Sequence, residues 1–458
     1  MDNSKISQWV DENMDDLVKD LISVINIRSV SEPSNGGPYP YGEGCKRALD
    51  KGLEIAGRLG FETINHEDYC GSAIWRGEIE DEIGLFGHLD VVPEGIGWTY
   101  EPYNAILKDG RVIGRGSCDN KGPTIATIYA MKYLRETGIK LKHTIRMYFG
   151  CSEEKGMSDI RYYLERNPMP KFGIVPDANF PVCTGEKGIL ELDIVGEAGN
   201  TIIEFKSGEV PNMVPPYSHV VLAIAPAQVK KALEGLTDST FSIEEFGGNT
   251  KIIAKGKAGH AAWPEPAESA MVKLVTALDK AEGLLDSKGK ACISFLAKAF
   301  ADYYGDGINA NFSDETGRLT HVGGMINIRD GNFIQNVNIR YPVKVDQEKM
   351  VSNIREVCEK AGYSMTVLKN DQPFYIPPSD PVIMMLMDTC NEILHKEYKP
   401  YVMGFTYARR LKRAVAYGPG VPDKPNPAHQ PDESMDIEDF KNAILIYANV
   451  IRKMDDMI

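Results

Sequence analysis

Two glutamates stand side by side in YFGCSEEKGM, residues 148–157, directly after a run that reads as a buried strand. Neighbouring residues of an extended chain point to opposite sides. Glu153 and Glu154 can therefore serve different partners, one a cation and the other the proton of a water beside it. A solvated acidic pair is the competing reading, weakened by the apolar strand before it and by Gly156 after it. Four further segments offer related chemistry. In LFGHLDVVP, His88 and Asp90 lie two positions apart just past an apolar strand, so both side chains can face one way. Asp90 could fix the tautomer of a ligating His88 or ligate directly. In GRGSCDNKGP, residues 114–123, glycines and a proline bracket Asp119 between a strand and a helix. A phosphate loop is the rival there, but the spacing is neither GxxxxGK[ST] nor GxGxxG, and a central aspartate suits a cation better. Asp177, in FGIVPDANFP, ends an apolar strand, at the edge where open α/β sheets carry ligands. His429 sits in the Pro-rich NPAHQPDES, with no apolar helix face to claim it. Taken singly, each of these also reads as a turn or a solvated loop.

The combination says more. His88, Asp119, Glu154, Asp177 and His429 all fall on loops at strand or helix ends, and their nitrogens and carboxylate oxygens suit zinc, manganese or cobalt. Five donors exceed one tetrahedral zinc site and match two metals sharing a carboxylate. Two dications make a crowd of acids tolerable and could clamp both oxygens of a hydrolytic transition state. A nucleophilic mechanism competes. There is no GxSxG, and Cys118 and Cys151 lie near the acids without a histidine at diagnostic spacing.

The elements that must hold these residues follow from periodicity. Ile6, Val10, Met14, Leu17, Leu21 and Ile25 recur at helical spacing. A loop by composition follows over 31–44, then an amphipathic helix over about 45–59. FETI, SAIW and IGLFG read as strands, with a helix from Lys121, Pro123 in its first turn, ending near residues 137–138. TIRMYFG is a strand, 158–166 a short helix and FGIVP another strand. This alternation indicates an α/β layered domain. From about 184 to 375 the texture changes: LELDIV, VVLAIA, KIIAKG, HVGGMINI and FIQNVNIRYP alternate as half-covered strands, with helical patterns near 227–235, 267–284 and 346–361. That is an α+β domain. After 376 the pattern returns to helix, strand and helix, with Ser434 expected to cap the last helix before Ile437.

The totals set limits. The chain has 458 residues, 43% of them hydrophobic, enough for two domains. Its formal net charge of -14 argues against nucleic acid or an anionic membrane as partner; ARRLKR, residues 408–413, is the one compact basic stretch. The eight cysteines show no CxxC pair, which reads as reduced, cytoplasmic usage. No apolar run reaches the roughly 18 residues of a membrane span.

FGHLDVVP, GRGSCDNKGP, YFGCSEEKG, VPDANFP and AHQPDE, in that order, resemble the motifs of the M20 metallopeptidase family, in its PepV-like dipeptidase branch, over nearly the whole chain. The resemblance implies an α/β fold: a zinc-peptidase-like catalytic domain, a mixed sheet flanked by helices, over 1–182 and 376–458, interrupted by an inserted α+β lid domain over 183–375. It implies two divalent metal ions per subunit, zinc first, with manganese or cobalt as alternatives. His88 and Asp177 would hold one metal, Glu154 and His429 the other, and Asp119 would bridge them. Asp90 would orient His88, and Glu153 would be the general base and then acid in attack by a dimetal-activated water. In the lid, GKAGHAAWPE places His260 as an oxyanion stabiliser, NMVPP makes Asn212 a substrate contact, and NIRYP places Arg340 to grip a free carboxylate. GFTYARR resembles a pocket-lining stretch with Gly404, Thr406, Tyr407 and Arg409. The implied activity is hydrolysis of L-dipeptides with free termini by a cytoplasmic monomer. An M20-type amidase, an acetylornithine deacetylase or a succinyl-diaminopimelate desuccinylase, is the alternative. A binding protein on a retired scaffold is disfavoured, because no catalytic position is lost. The departures are Phe405 after Gly404, and Cys118 and Asn120 around Asp119. Neither of the latter two is expected to touch a metal ligand, and the charge missing at Asn120 is expected to act on the second metal.

Overall fold

The computed structural model describes residues 1–33, 37–402 and 404–458, and of Arg329 the backbone; residues 34–36 of the loop expected over 31–44 lie outside the described residues. The chain divides into two compact units, Met1–Glu186 with Tyr375–Ile458, and Lys187–Phe374.

The first unit is built on a mixed sheet. Its strands run in the order Glu62–His66, Cys70–Trp75, His143–Gly150, Ile79–His88, Phe172–Val175, Ala414–Ala416 and Cys183–Glu186. The first two pairings are antiparallel. Ile79–His88 then runs parallel to both His143–Gly150 and Phe172–Val175, and Ala414–Ala416 is parallel to the latter. Strands parallel to one another end at the same sheet edge, and toward that edge these are buried, Ile83–His88 without exception, as strands covered on both faces must be. Phe172–Val175 is buried at every position.

Helices supply the cover. Ile6, Val10, Leu17, Leu21 and Ile25 line the buried face of helix Asn3–Ile25, and Asp2 caps it by accepting from the Ser4 N–H at 3.1 Å. Helix Lys121–Glu136 packs against that helix, against helix Ile437–Met457 and against strand Ile79–His88. Lys121, itself fully buried, donates from Nζ to the carbonyls of Val24 (3.1 Å) and Ile27 (2.7 Å). It thus ties the end of the first helix to the start of this one. Gly122 is required there: a Cβ would collide with the Ser117 carbonyl oxygen.

The start of the last helix differs from the sequence expectation. Ser434 does not cap the last helix. It lies in a short strand, Ser434–Asp436, paired antiparallel with Arg111–Ile113. β pairing takes the backbone that a cap would need, and the cap position moves to Asp436. The Asp436 carboxylate turns to Arg111 (2.7 Å) and Lys424 (3.0 Å) instead of the helix N–H groups.

The second unit is α+β. Its antiparallel sheet runs Phe241–Phe246, Asn249–Lys255, Tyr217–Leu222, Ile202–Ser207, Thr320–Arg329, Asn332–Tyr341, Gly188–Glu197, Ser364–Asp371. One face is covered and the other half-open: Leu190, Leu192 and Ile194 are buried while Glu191, Asp193 and Val195 between them are not. Helices Ala270–Lys280, Ser287–Ala299 and Gln347–Lys360 close the covered side around Leu274, Ile293 and Ile354. No helix among the described residues is long and apolar enough to cross a membrane.

Candidate metal centre

Three neighbouring parallel strands deliver most of the site. His88 is the last residue of the central one; Glu153 and Glu154 follow the end of His143–Gly150, and Asp177 follows Phe172–Val175. Asp119 comes from the connection into helix Lys121–Glu136, and His429 from the loop before Ser434–Asp436. These residues, up to 341 positions apart in the chain, meet. His88 Nε2 lies 3.2 Å from Asp119 Oδ1 and 3.6 Å from Asp177 Oδ2. His429 Nε2 lies 3.1 Å from Asp119 Oδ2 and 3.0 Å from Glu154 Oε1. Asp119 therefore faces both histidines, one with each oxygen.

The supporting contacts explain why the ligand set is held. The ring of His88 is buried, and its Nδ1 pairs with the backbone carbonyl of Asp90 at 2.9 Å, with Asp90 Oδ1 at 3.3 Å. Asp90 also reaches across to the glutamates: Oδ1 accepts from the Glu153 N–H and Oδ2 from the Glu154 N–H, both at 3.1 Å. The two glutamate side chains then part. Glu154 turns to His429. Glu153 is buried and its Oε1 makes no hydrogen bond, although it lies with His88 and Asp177 in a group whose donor atoms are all within 4.8 Å of one another.

Asn120 corrects the sequence expectation, whereas the described hydrogen bonds of Cys118 go to Glu433 and to no candidate ligand. Asn120 does touch ligands: its amide donates to Asp177 Oδ1 (3.2 Å) and the Pro176 carbonyl (2.5 Å), and its oxygen accepts from the His88 N–H (3.2 Å). It bears on the His88–Asp177 side, not on the Glu154–His429 side. Cys118 borders Glu433, at 3.4 Å. Burial, with Glu433 and Asp119 adding to it, pushes its thiol well up, and burial does the same for Cys151. Neither is a ready thiolate, which removes the physical basis of a cysteine mechanism.

Electrostatics tests whether this set suits cations. Burial pushes Glu154 up to about 7, Asp119 adding to it, and burial also raises Asp177 and, strongly, Glu153. Hydrogen bonds to Asp119 and Glu154 raise His429 to about 10. Asp119 alone is held below the usual carboxylate range, because the two histidines outweigh its burial. Left to itself, the cluster retains protons to offset its crowded acids. His88 Nε2, buried and without a hydrogen bond of good geometry, adds an orphaned donor. Nitrogen and carboxylate donors, an excess of acid and an orphaned imidazole nitrogen together fit divalent metal. A cavity of about 430 Å³ opens beside Asp119 and Asp177, walled by Asn179 and the 419–428 segment.

The other sequence candidates sit as follows. Gly404 is exposed, with φ +95°. Thr406, Tyr407 and Arg409 are turned inward. Thr406 donates to Glu186 Oε1 from both N–H (3.0 Å) and Oγ1 (2.8 Å), Arg409 pairs with Glu186 Oε2 (2.9 Å), and the Tyr407 hydroxyl meets Asp159 at 2.5 Å. Phe405 lies under the Arg409 guanidinium, 4.7 Å from ring centre to Cζ. In the second unit, His260 pairs in register with Met213, which brings Asn212 beside it: the Ala261 N–H donates to the Asn212 carbonyl at 2.9 Å. Burial and the charge of Arg340 lower the pKa of His260.

Sequence reasoning missed three buried acids behind the site. Asp159 accepts from the N–H groups of Cys151 (2.7 Å) and Ser152 (2.9 Å), just ahead of the glutamate pair. Glu186 holds the 404–409 segment as described. Glu433 holds the Asp119 loop. The available signal was position: Asp159 and Glu433 each lie within five residues of a candidate ligand.

A two-unit α/β chain with histidines and acids converging at the ends of parallel strands is the build of a metal-dependent hydrolase. The fold matches solved structures of dipeptidases. Human carnosine dipeptidase 1 aligns at TM-score 0.56 over 99% of this chain and 100% of its own, at 16% identity. The dipeptidase Dug1p of Saccharomyces cerevisiae aligns at 0.57 over 99% of each, at 14% identity. In sequence, the Bacillus subtilis protein named "Putative dipeptidase YtjP" is 32% identical over 459 aligned positions, covering 96% of this chain and 97% of that one. The sequence profile of Peptidase family M20/M25/M40 matches residues 84–453, and the chain belongs to that family, as a metallopeptidase.

Proposed function

We propose that this metallopeptidase hydrolyses L-dipeptides with free amino and carboxyl ends. The observation that carries the reading is the meeting of His88, Asp119, Glu154, Asp177 and His429 around a buried Glu153 whose Oε1 has no hydrogen-bond partner. The relatives named as dipeptidases support the substrate class. His88 and Asp177 would hold one divalent ion and Glu154 and His429 a second, with Asp119 shared. Such ions, zinc first, with manganese or cobalt as alternatives, supply polarisation of the scissile carbonyl and a lowered pKa for water.

The remaining work falls to the chain's own groups. Asp90 fixes the directions of both glutamates through their N–H groups. Glu153, unbonded at Oε1, takes the proton of the attacking water and returns it to the leaving amine. Burial and the charge of Arg340 favour the neutral imidazole of His260, which can donate to the developing oxyanion. Arg340 presents a fork suited to a free carboxylate. Gly404 offers exposed backbone, while Thr406, Tyr407 and Arg409 brace that segment from behind. The test is a comparison of an L-dipeptide with its N-acetyl form. Faster turnover of the free dipeptide is expected; strong preference for the acetylated compound would overturn this reading in favour of an amidase.

A further inference from the structure

Glu433 is a buried acid to which neither the proposed chemistry nor the ligand set gives a task. It is fully buried, and each oxygen is engaged. Oε2 accepts from the guanidinium of Arg115 at 2.7 Å and from the Gly116 N–H at 3.0 Å. Oε1 accepts from the N–H groups of Cys118 at 3.0 Å and Asp119 at 3.1 Å. Its backbone carbonyl takes the Gly114 N–H at 2.8 Å. One residue thus gathers the 114–119 loop, which carries Asp119, onto the 429–433 loop, which carries His429.

A purely structural ion pair needs only Arg115. Arg115 has its own anchors: it donates to the Glu94 carbonyl at 3.1 Å and lies over the Trp98 ring at 5.1 Å. The backbone bonds to consecutive Cys118 and Asp119 are a different matter. They fix the plane of the peptide from which the Asp119 side chain projects, and with it the placement of an oxygen toward each histidine. Hydrogen bonds from backbone N–H to an ionised carboxylate are shorter and stronger than those between neutral groups.

We propose that Glu433 is a positioning residue: it clamps the Asp119 loop to the His429 loop and so sets the separation of the shared carboxylate from its histidine partner before any cation arrives. This rests on the reading that Asp119 and His429 hold metal. Partners behind metal ligands typically control affinity 10- to 100-fold.

The test uses the full chain stripped of metal and titrated with Zn²⁺ alone, with bound metal counted after dialysis. Glu433→Gln puts an amide NH₂ against N–H donors and is expected to weaken at least one zinc by 10- to 100-fold. Arg115→Lys disturbs the same ion pair but leaves the carboxylate over the Asp119 N–H; it is expected to lower Tm with zinc affinity within about threefold of the parent. Should Glu433→Gln not fold, Glu433→Asp, which keeps the charge on a shorter arm, carries the test, with a loss of several-fold expected. Equal zinc affinity in a folded Glu433 variant and the parent would overturn the proposal, as would equal weakening by Arg115→Lys. A parent that binds no zinc would instead sink the metal reading itself. The unmutated protein supplies a check that needs no variant. In its metal-free form, the amides of Cys118 and Asp119 are expected to be protected from hydrogen exchange; free exchange would mean that metal, not Glu433, orders the loop.

Discussion

The two units hold their polar residues in different ways. In the first, the loops bearing Glu154 and Asp119 have backbone N–H groups seated on buried acids: Asp90 takes Glu153 and Glu154, Asp159 takes Cys151 and Ser152, and Glu433 takes Cys118 and Asp119. In the second, His260 lies on a two-residue ladder, with Nδ1 accepting only from the Ala262 N–H at 3.2 Å among its described hydrogen bonds. The contrast separates two demands. Cation chemistry needs donor atoms fixed to fractions of an ångström, since misplacement there is costly. Recognition of varied side chains tolerates a more adaptable frame.

This contrast can be broken by experiment. The largest effect should come from a chelator, which is expected to abolish peptidase activity and to lower the stability of the first unit. Binding at 100 times Kd is worth about 2.7 kcal/mol. Hydrogen exchange of the second unit's sheet, Leu190 to Ile194 for example, should not change; a parallel loss there would erase the distinction. Next, Glu153→Gln is expected to cut kcat by roughly 10²–10⁴ without lowering Tm, because Oε1 gives up no hydrogen bond. A drop in Tm matching the drop in rate would make Glu153 structural. Asn120→Asp sets a carboxylate against Asp177 and the Pro176 carbonyl, where the amide now donates. Metal titration should then show about tenfold weaker binding of one ion, and unchanged affinity would show that the amide does not tune the site. Arg340→Met should raise KM for a free dipeptide about tenfold or more with kcat less affected; an unchanged KM would remove Arg340 from recognition.

The smallest effect belongs to the second unit's frame. Asp286 accepts from the N–H groups of Asn200, Thr201 and Gly289 at 2.8 Å each, capping helix Ser287–Ala299. Its partial burial is outweighed by these bonds, which hold its carboxyl well below the usual range. A depressed folded-state pKa means that the stabilisation is complete above the unfolded-state value near 3.9 and drains away as pH falls through the folded-state value. Asp286→Ala should therefore cost about 1–2 kcal/mol at pH 7, with a difference from the parent that shrinks below about pH 4. A gap constant across that range would remove the ionised carboxylate as its source.

Much of the site was legible because its chemistry and its position coincide. His88, Glu154 and Asp177 follow apolar runs, where an acid or a histidine has no packing reason to be, and Asp119 and His429 sit among glycines and prolines that fix loops. The supporting acids were not legible. The chain has 65 acidic residues, and nothing in periodicity separates a Glu433 that collects backbone N–H groups from a glutamate facing water. Asn120 was misjudged for a related reason: its importance lies in a contact with Asp177, fifty-seven positions on, that sequence adjacency to Asp119 does not reveal. Helix Ser287–Ala299 went unrecognised because SKGKACISFLAKA mixes small residues and lysines around a thin apolar stripe. Edge strand Phe241–Phe246 is largely open to solvent and lacks a covered face to mark it.

The insertion of Lys187–Phe374 between the halves of the first unit has a consequence for the newborn chain. On the ribosome, His88, Asp119, Glu154 and Asp177 emerge with the early strands, while strand Ala414–Ala416, His429 and Glu433 follow only after the whole intervening unit has been made. For that interval the nascent acids lack both their last imidazole and the clamp on the Asp119 loop. If the five residues hold metal as proposed, capture falls to the final stage of biogenesis, and a chain released early carries an incomplete set of donors.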